Sequence, residues 1–140
     1  MADLAVTAAN VVDVERVKKA VGVAGEAITA GAAIYQKIDS DGQKRMYLAL
    51  NTGTGEANLK GLALTNSAQF QPVVYATDGT INPGGNMEPG AAYFVSGTAG
   101  KICPSTDLST DGQQISLVGI AVNADELLVI LKPTGKVISS

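Results

Sequence analysis

The feature that most constrains this chain is that it repeats itself. Gly31-Ala32-Ala33-Ile34-Tyr35 returns as Gly90-Ala91-Ala92-Tyr93-Phe94, 59 positions later. Further on, "LKGLALTN" at 59–66 returns as "LVGIAVNA" at 117–124, with Gly61 and Gly119 58 positions apart; Gly42 and Gly100 lie between these blocks at that same spacing. The order of landmarks is kept, so the chain reads as two similar halves of about sixty residues, 25–82 and 83–140. Each half offers a short strand, a glycine turn, a second strand, a glycine-bearing strand and a final apolar strand. Four strands cannot cover their own apolar face, so the halves are expected to pack face to face or to close into a barrel.

The runs "AAIYQKI", "KRMYLAL", "LKGLALT", "QPVVYAT", "AAYFVSG", "QISLVGIAV" and "ELLVILK" are short and bear β-branched or aromatic residues. Turn signals separate them: "DSDGQ", "NTGTGEAN", "TDGTINPGG", "SGTAGK", "STDG" and "KPTG". Pro83, Gly84, Gly85 and Pro89 mark the loop between the halves. The fold class is therefore all-β, a compact β-sandwich or small β-barrel with an extended N-terminal arm. Residues 1–24 form the arm or first strand, and 25–140 a single β domain. Within 10–24, Val14, Val17 and Val21 fit a helical stripe whereas Val17, Val21 and Val23 fit alternation; valine's weak helix propensity favours a strand. Residues 1–9 read as a flexible arm.

With 140 residues the chain is one domain long, and a domain of that size buries roughly 68–70% of its unfolded surface. Trp is absent and aromatics make up 4%, so Val, Ile, Leu and Ala must build the core. The net charge of −3 gives a counterion-release grip on nucleic acid little to work with, and "VKK" at 17–19 and "KRM" at 44–46 read as solvated faces. A lone Cys103 fits folding in a reducing cytoplasm. The N-terminus lacks the basic start and apolar run of a secretory signal, and no stretch approaches the roughly eighteen apolar residues of a membrane helix.

No catalytic set emerges. Histidine is absent, which removes the usual general base and the commonest metal ligand and excludes Ser-His-Asp and Cys-His machinery. Cys103 in "KICPS" reads as a small buried apolar residue. "DSDG", Asp39 to Gly42, opens like a calcium loop, but "QKRMYL" follows where further oxygen ligands are needed, so it reads as a polar hairpin turn. "SGTAGK", ending at Lys101, fails the phosphate-loop spacing, and "TGTGEAN" lacks the strand and helix of a dinucleotide site. Glu26, Glu56, Glu88, Asp111, Asp125 and Glu126 sit in turn-like text with no aromatic platform for a sugar, so they read as solvated loop carboxylates. No catalytic, cofactor-binding or metal-binding residue is assigned, and no enzyme activity is expected.

The order "VTAANVV…GVAGEAITAGAAIYQ…LKGLALTNSAQFQPVVYATDGTINPG…PGAAYFVSGTAGKICPSTDL…ISLVGIAVN" resembles a group of small bacteriophage structural proteins. Their pattern runs "AGxxITAGxxVY", then "GIAL" with a polar run and "QPV", then "G…YxVSxTAGxIxPxxDL", then "VLGIA". The likeness extends from about Val6 to Ile130, and its distinctive part is "VSGTAGKICPSTDL", 95–108. It implies a capsid decoration, or cement, protein: a homotrimer on the outer shell at three-fold or quasi-three-fold positions, gripping the major capsid protein, with neither nucleic acid nor membrane as partner. Assembly would be in the host cytoplasm and residence in the virion. The arm 1–24 and loops near 51–58 or 80–89 are the expected contacts. The alternative is a tail, fibre or receptor-binding module, which would bind host cells or glycans and carry more surface aromatics than Tyr35, Tyr47, Tyr75 and Tyr93 provide.

Overall fold

A computed structural model of the chain describes residues 11–50, 59–85, 87–96, 100–104 and 114–137. Among them there is no helix. Nine strands follow in order: β1 (Val11–Val23), β2 (Ala33–Ile38), β3 (Lys44–Leu48), β4 (Leu59–Ala63), β5 (Pro72–Pro83), β6 (Ala92–Val95), β7 (Ile102–Pro104), β8 (Gln114–Ala121) and β9 (Leu127–Val137). They form one curled antiparallel sheet, a half-barrel, along the path β3-β2-β4-β5-β9-β8-β6-β7, with β1 on β5. The all-β expectation is met, and a curled sheet takes the place of two separate layers.

The sheet path is a palindrome because the duplicated sequence builds the same ladder twice. In the first half Ile34 pairs with Gly61 and Tyr35 with Leu59. In the second, Tyr93 pairs with Gly119 and Phe94 with Leu117, and each ladder carries its register shift at the same step. The repeated Gly-Ala-Ala is a turn and a landing. Ala32 N–H donates to Thr29 O at 3.2 Å and Ala91 N–H to Glu88 O at 3.1 Å, with Gly31 (φ 90°) and Gly90 (φ 82°) in the left-handed region between them. Gly31 then donates to Ala63 O and Gly90 to Ala121 O, both at 2.8 Å, which starts the next strand pair in each half.

β5 serves both halves. Near its start, Tyr75 and Ala76 pair with β4, and after Gly79 (φ 97°) the residues Gly79, Thr80 and Ile81 pair with β9. β1 runs beside its whole length, from Val11 opposite Pro83 to Val23 opposite Pro72. The ambiguity over 10–24 thus resolves to a strand. Ala20 packs toward the core while Val21 and Val23 are exposed, so Val21 cannot belong to a buried helical stripe. Residues 11–23 are part of the sheet, and 1–10 lie outside the described residues.

Two clusters fill the interior. One belongs to the first half: Ala24, Ile28, Ala32, Ile34, Met46, Ala63, Val73 and Tyr75. It is closed where Ala24 bridges Met46 and Gly25 N–H donates to Met46 O at 2.8 Å. The other joins the halves, placing Ala33, Leu62 and Ala76 against Ile81, Met87, Tyr93, Val95, Val118, Ala121, Leu127 and Val129. Gly100, ahead of β7, completes the join: its N–H donates to Ala49 O at 2.8 Å and its carbonyl oxygen accepts from Ala33 N–H at 2.9 Å.

Equivalent positions therefore meet different surroundings. Ala33 and Leu62, on the first half's outer face, are covered by the second half; their counterparts Ala92 and Ile120 lie side by side on a face left partly open, Ala92 half-buried and Ile120 exposed. Leu128 extends that row opposite Ile120, and Val122 follows it. Ile120, Leu128 and Val122 are 39%, 41% and 56% exposed.

Candidate functional site on the β2–β3 hairpin

The densest gathering of polar chemistry among the described residues is at the tip of the β2–β3 hairpin. Asp39-Ser40-Asp41-Gly42 makes the turn: Asp39 N–H donates to Gln43 O and Gly42 N–H to Asp39 O, each at 2.9 Å, and Gln43 N–H donates to Asp41 Oδ1 at 2.9 Å. The two-residue period of a strand then sets Lys37 opposite Arg45 and Tyr35 opposite Tyr47, with Asp39 continuing the same face. Arg45 Nη1 donates to both carboxylates, to Asp39 Oδ2 at 2.7 Å and Asp41 Oδ2 at 2.9 Å. Tyr47 Oη donates to Asp39 Oδ1 at 2.6 Å, and Lys37 Nζ lies 5.3 Å from the centre of the Tyr47 ring.

Phe70 comes to this face from the loop between β4 and β5. Its ring covers the Arg45 guanidinium at 4.9 Å, yet the residue is 61% exposed. It occupies the third position of the Ala68–Gln71 turn with φ at 68°, a conformation that costs a non-glycine residue on the order of 1–2 kcal/mol. The turn is held by Phe70 N–H donating to Ala24 O at 2.6 Å, Ala24 N–H to Gln71 O at 2.9 Å, and Gln69 Nε2 to Gly25 O at 3.2 Å. Between hairpin and turn lies a cleft of about 400 Å³ lined by Lys37, Asp39, Ser40, Arg45, Gln69 and Phe70, among others.

The hydrogen bonds set the ionisation of the cluster. Tyr47, then Arg45, stabilise the Asp39 carboxylate and lower its pKa; the Gln43 amide, then Arg45, do the same for Asp41. The Tyr47 phenol, whose proton is held by Asp39, is pushed up to about 12. A folded pKa above the unfolded value near 10 means this bond contributes stability below pH 10 and loses it as pH rises toward 12. Asp39 works in the opposite sense: its contribution is present above the ordinary carboxylate pKa and fades as pH falls below it. In a near-ultraviolet phenolate titration, wild type minus Tyr47→Phe is expected to isolate one phenol with a midpoint near 12. A midpoint near the ordinary tyrosine value would disprove the Tyr47–Asp39 bond.

The sequence reading placed Asp39–Gly42 as a polar turn, and the turn is there, with both carboxylates engaged by Arg45. Reading "KRM" as a solvated face was wrong for two of its three residues: Arg45 is held in the network and Met46 is buried. Phe70 and Tyr47 were missed as site residues. The available signal was the alternation Lys37-x-Asp39 before the turn and Arg45-x-Tyr47 after it, which a hairpin must bring onto one face. Phe70 carried no comparable signal, because only the turn geometry brings it here.

The remaining candidates do not converge. Cys103 is buried in β7. Glu26 Oε2 accepts from Leu48 N–H at 3.1 Å, Glu126 Oε1 accepts from Asn123 Nδ2 at 2.7 Å, and Glu88 and Asp125 are exposed in turns elsewhere. Lys101, just before β7, is exposed. Glu56, Asp111 and the segment "TGTGEAN" lie outside the described residues, as does 51–58. Within 80–89, expected to contact the capsid, Ile81, Pro83, Gly84 and Met87 are buried, Ile81 and Met87 in the cluster that joins the halves, while Glu88 and Pro89 are exposed. Among families and curated proteins, none matches this chain.

Proposed function

We propose that this chain is a bacteriophage capsid decoration protein, a homotrimer that sits on the outside of the head and clamps neighbouring subunits of the major capsid protein. The observation that carries this reading is the apolar row of half-buried Ala92 with exposed Ile120 and Leu128, and Val122 beside it, where the first-half counterparts of Ala92 and Ile120, Ala33 and Leu62, are fully buried. An apolar sheet face left open on a small β body is what an accessory protein uses to hold something larger. The pattern of the sequence from about Val6 to Ile130 supplies the class of partner. Trimerisation makes modest contacts sufficient: once one foot is docked the others act at high effective concentration, and avidity can exceed single-site affinity by roughly 10²–10⁴. Each foot would bury on the order of 800 Å² per partner. In this role the protein is a passive clip in the virion, assembled in the host cytoplasm, with no reaction to catalyse.

Light scattering is expected to give three times the 14.2 kDa chain mass, and the trimer should bind undecorated heads but not heads already saturated. Leu128→Asp should remain folded and lose head binding at least tenfold. Monomers that ignore heads would overturn the proposal. The second reading, a tail, fibre or receptor-binding module, draws on the exposed Phe70 beside the polar cleft, and predicts adhesion to host cells instead.

A further inference from the structure

We infer that the cleft between the β2–β3 hairpin and the Ala68–Gln71 turn is a binding site for a neutral sugar ring. The inference does not depend on whether the body is mounted on a head or a tail.

Charge decides the class of ligand first. Two carboxylates, Asp39 and Asp41, face two cations, Arg45 and Lys37, so the cleft has no net formal charge. Phosphate would meet both carboxylates, and a metal ion would meet the guanidinium that already occupies them. A neutral ligand meets neither penalty.

The unspent hydrogen-bonding groups decide next. One nitrogen, Nη1, makes both of Arg45's ion pairs, which leaves the Nη2 and Nε edge of the guanidinium without an acceptor among the described residues. Gln69 donates its amide to Gly25 O while its carbonyl oxygen accepts no hydrogen bond among the described residues, and Ser40 contributes a hydroxyl. Donors and acceptors thus both line the cleft, as a ring of hydroxyls requires, and the carboxylate–guanidinium–phenol network holds the planar groups in place before any ligand arrives.

Phe70 completes the site. A sugar ring is apolar on its faces and polar at its rim, so it lies on an aromatic platform while its hydroxyls reach planar polar side chains. The Phe70 ring, stacked on Arg45 on one side yet 61% exposed, leaves its other side as such a platform, fixed in a left-handed backbone conformation by bonds to Ala24 and by the turn. A cleft of about 400 Å³ lies at the lower end of ligand-pocket sizes, which run roughly from 300 to 1,000 Å³. A peptide strand is a poorer fit, because the β3 edge it would pair with is taken at Met46 by Ala24 and Gly25.

The test is titration of ¹⁵N-labelled protein with methyl α-glucoside, methyl β-galactoside and N-acetylglucosamine at millimolar concentrations, followed by amide shifts. At least one sugar is expected to give saturable shifts confined to 37–47 and 68–71. Phe70→Ala should weaken that binding at least tenfold with the rest of the spectrum unchanged, and Phe70→Tyr, which keeps the platform, should retain it within about threefold. Absence of saturable shifts with all three sugars would overturn the inference. So would shifts elsewhere, undiminished binding by Phe70→Ala, or the same residues responding to an unstructured control peptide and to none of the sugars. Head binding by the same variants is read separately: Phe70→Ala should leave it intact, which distinguishes failure of this site from failure of the capsid reading.

Discussion

Gly119→Ala is expected to destabilise the fold by about 3 kcal/mol or more, at or beyond the usual range for overpacking a tight interior. The reason is local and specific. A Cβ at Gly119 would overlap the Leu128 carbonyl oxygen and crowd Val129 Cα, both in the neighbouring strand, so relief requires β8 and β9 to separate rather than a side chain to turn. Gly61→Ala should behave alike, because its Cβ would meet the Ala76 carbonyl oxygen and Tyr75 Cδ2, each at 2.6 Å, in the corresponding strand of the first half. Gly90→Ala is the control: it pays for a positive φ, on the order of 1–2 kcal/mol, but nothing lies within 4 Å of the new methyl. Denaturant unfolding of the three variants should rank Gly119 and Gly61 well below Gly90. Three similar midpoints would show that close strand approach is not what fixes these glycines. A loss of 3 kcal/mol is a large part of the roughly 5–15 kcal/mol that holds a domain together.

Leu127→Ala should cost about 2–5 kcal/mol. Leu127 is fully buried, sits opposite Ile81 across the β5–β9 seam, and belongs to the cluster containing Ala33 and Leu62 of the first half together with Val95 and Val118 of the second. The cavity would thus open between the halves. Both should respond together: a single unfolding transition shifted to lower denaturant, with amides of β2 and β4 losing protection alongside those of β8. Two transitions would show that the clusters are energetically separate. One residue further along, Leu128→Ala removes a half-exposed side chain and should change stability by no more than about 0.5 kcal/mol, although it trims the face proposed to grip the capsid.

The repeated glycines carried most of the architecture into view. Gly31 and Gly90 mark the turns, Gly61 and Gly119 the close strand contacts, and their spacing foretells two equivalent ladders, because backbone demands of this kind admit few residues. The conflict over 10–24 was settled by pairing with β5, a partner some sixty residues away that no local period can name. The manner in which the halves join was also hidden. Ala33 and Ala92, or Leu62 and Ile120, are alike as text, and only tertiary packing buries Ala33 and Leu62 fully while leaving Ala92 half-buried and Ile120 exposed. At the hairpin, the Lys37, Asp39, Arg45 and Tyr47 alternation was legible in principle. Phe70 was not, since a left-handed turn residue is normally glycine or asparagine and its aromatic ring gives no cue to that geometry.

The double duty of β5 has a practical corollary for anyone dissecting the molecule. The two modules lean on different stretches of one twelve-residue strand, Pro72–Pro83, as their shared wall. Severing the polypeptide at its numerical midpoint would orphan whichever fragment is denied them. Reassembly from pieces should succeed only when that segment stays whole and both fragments are present to claim its opposite ends.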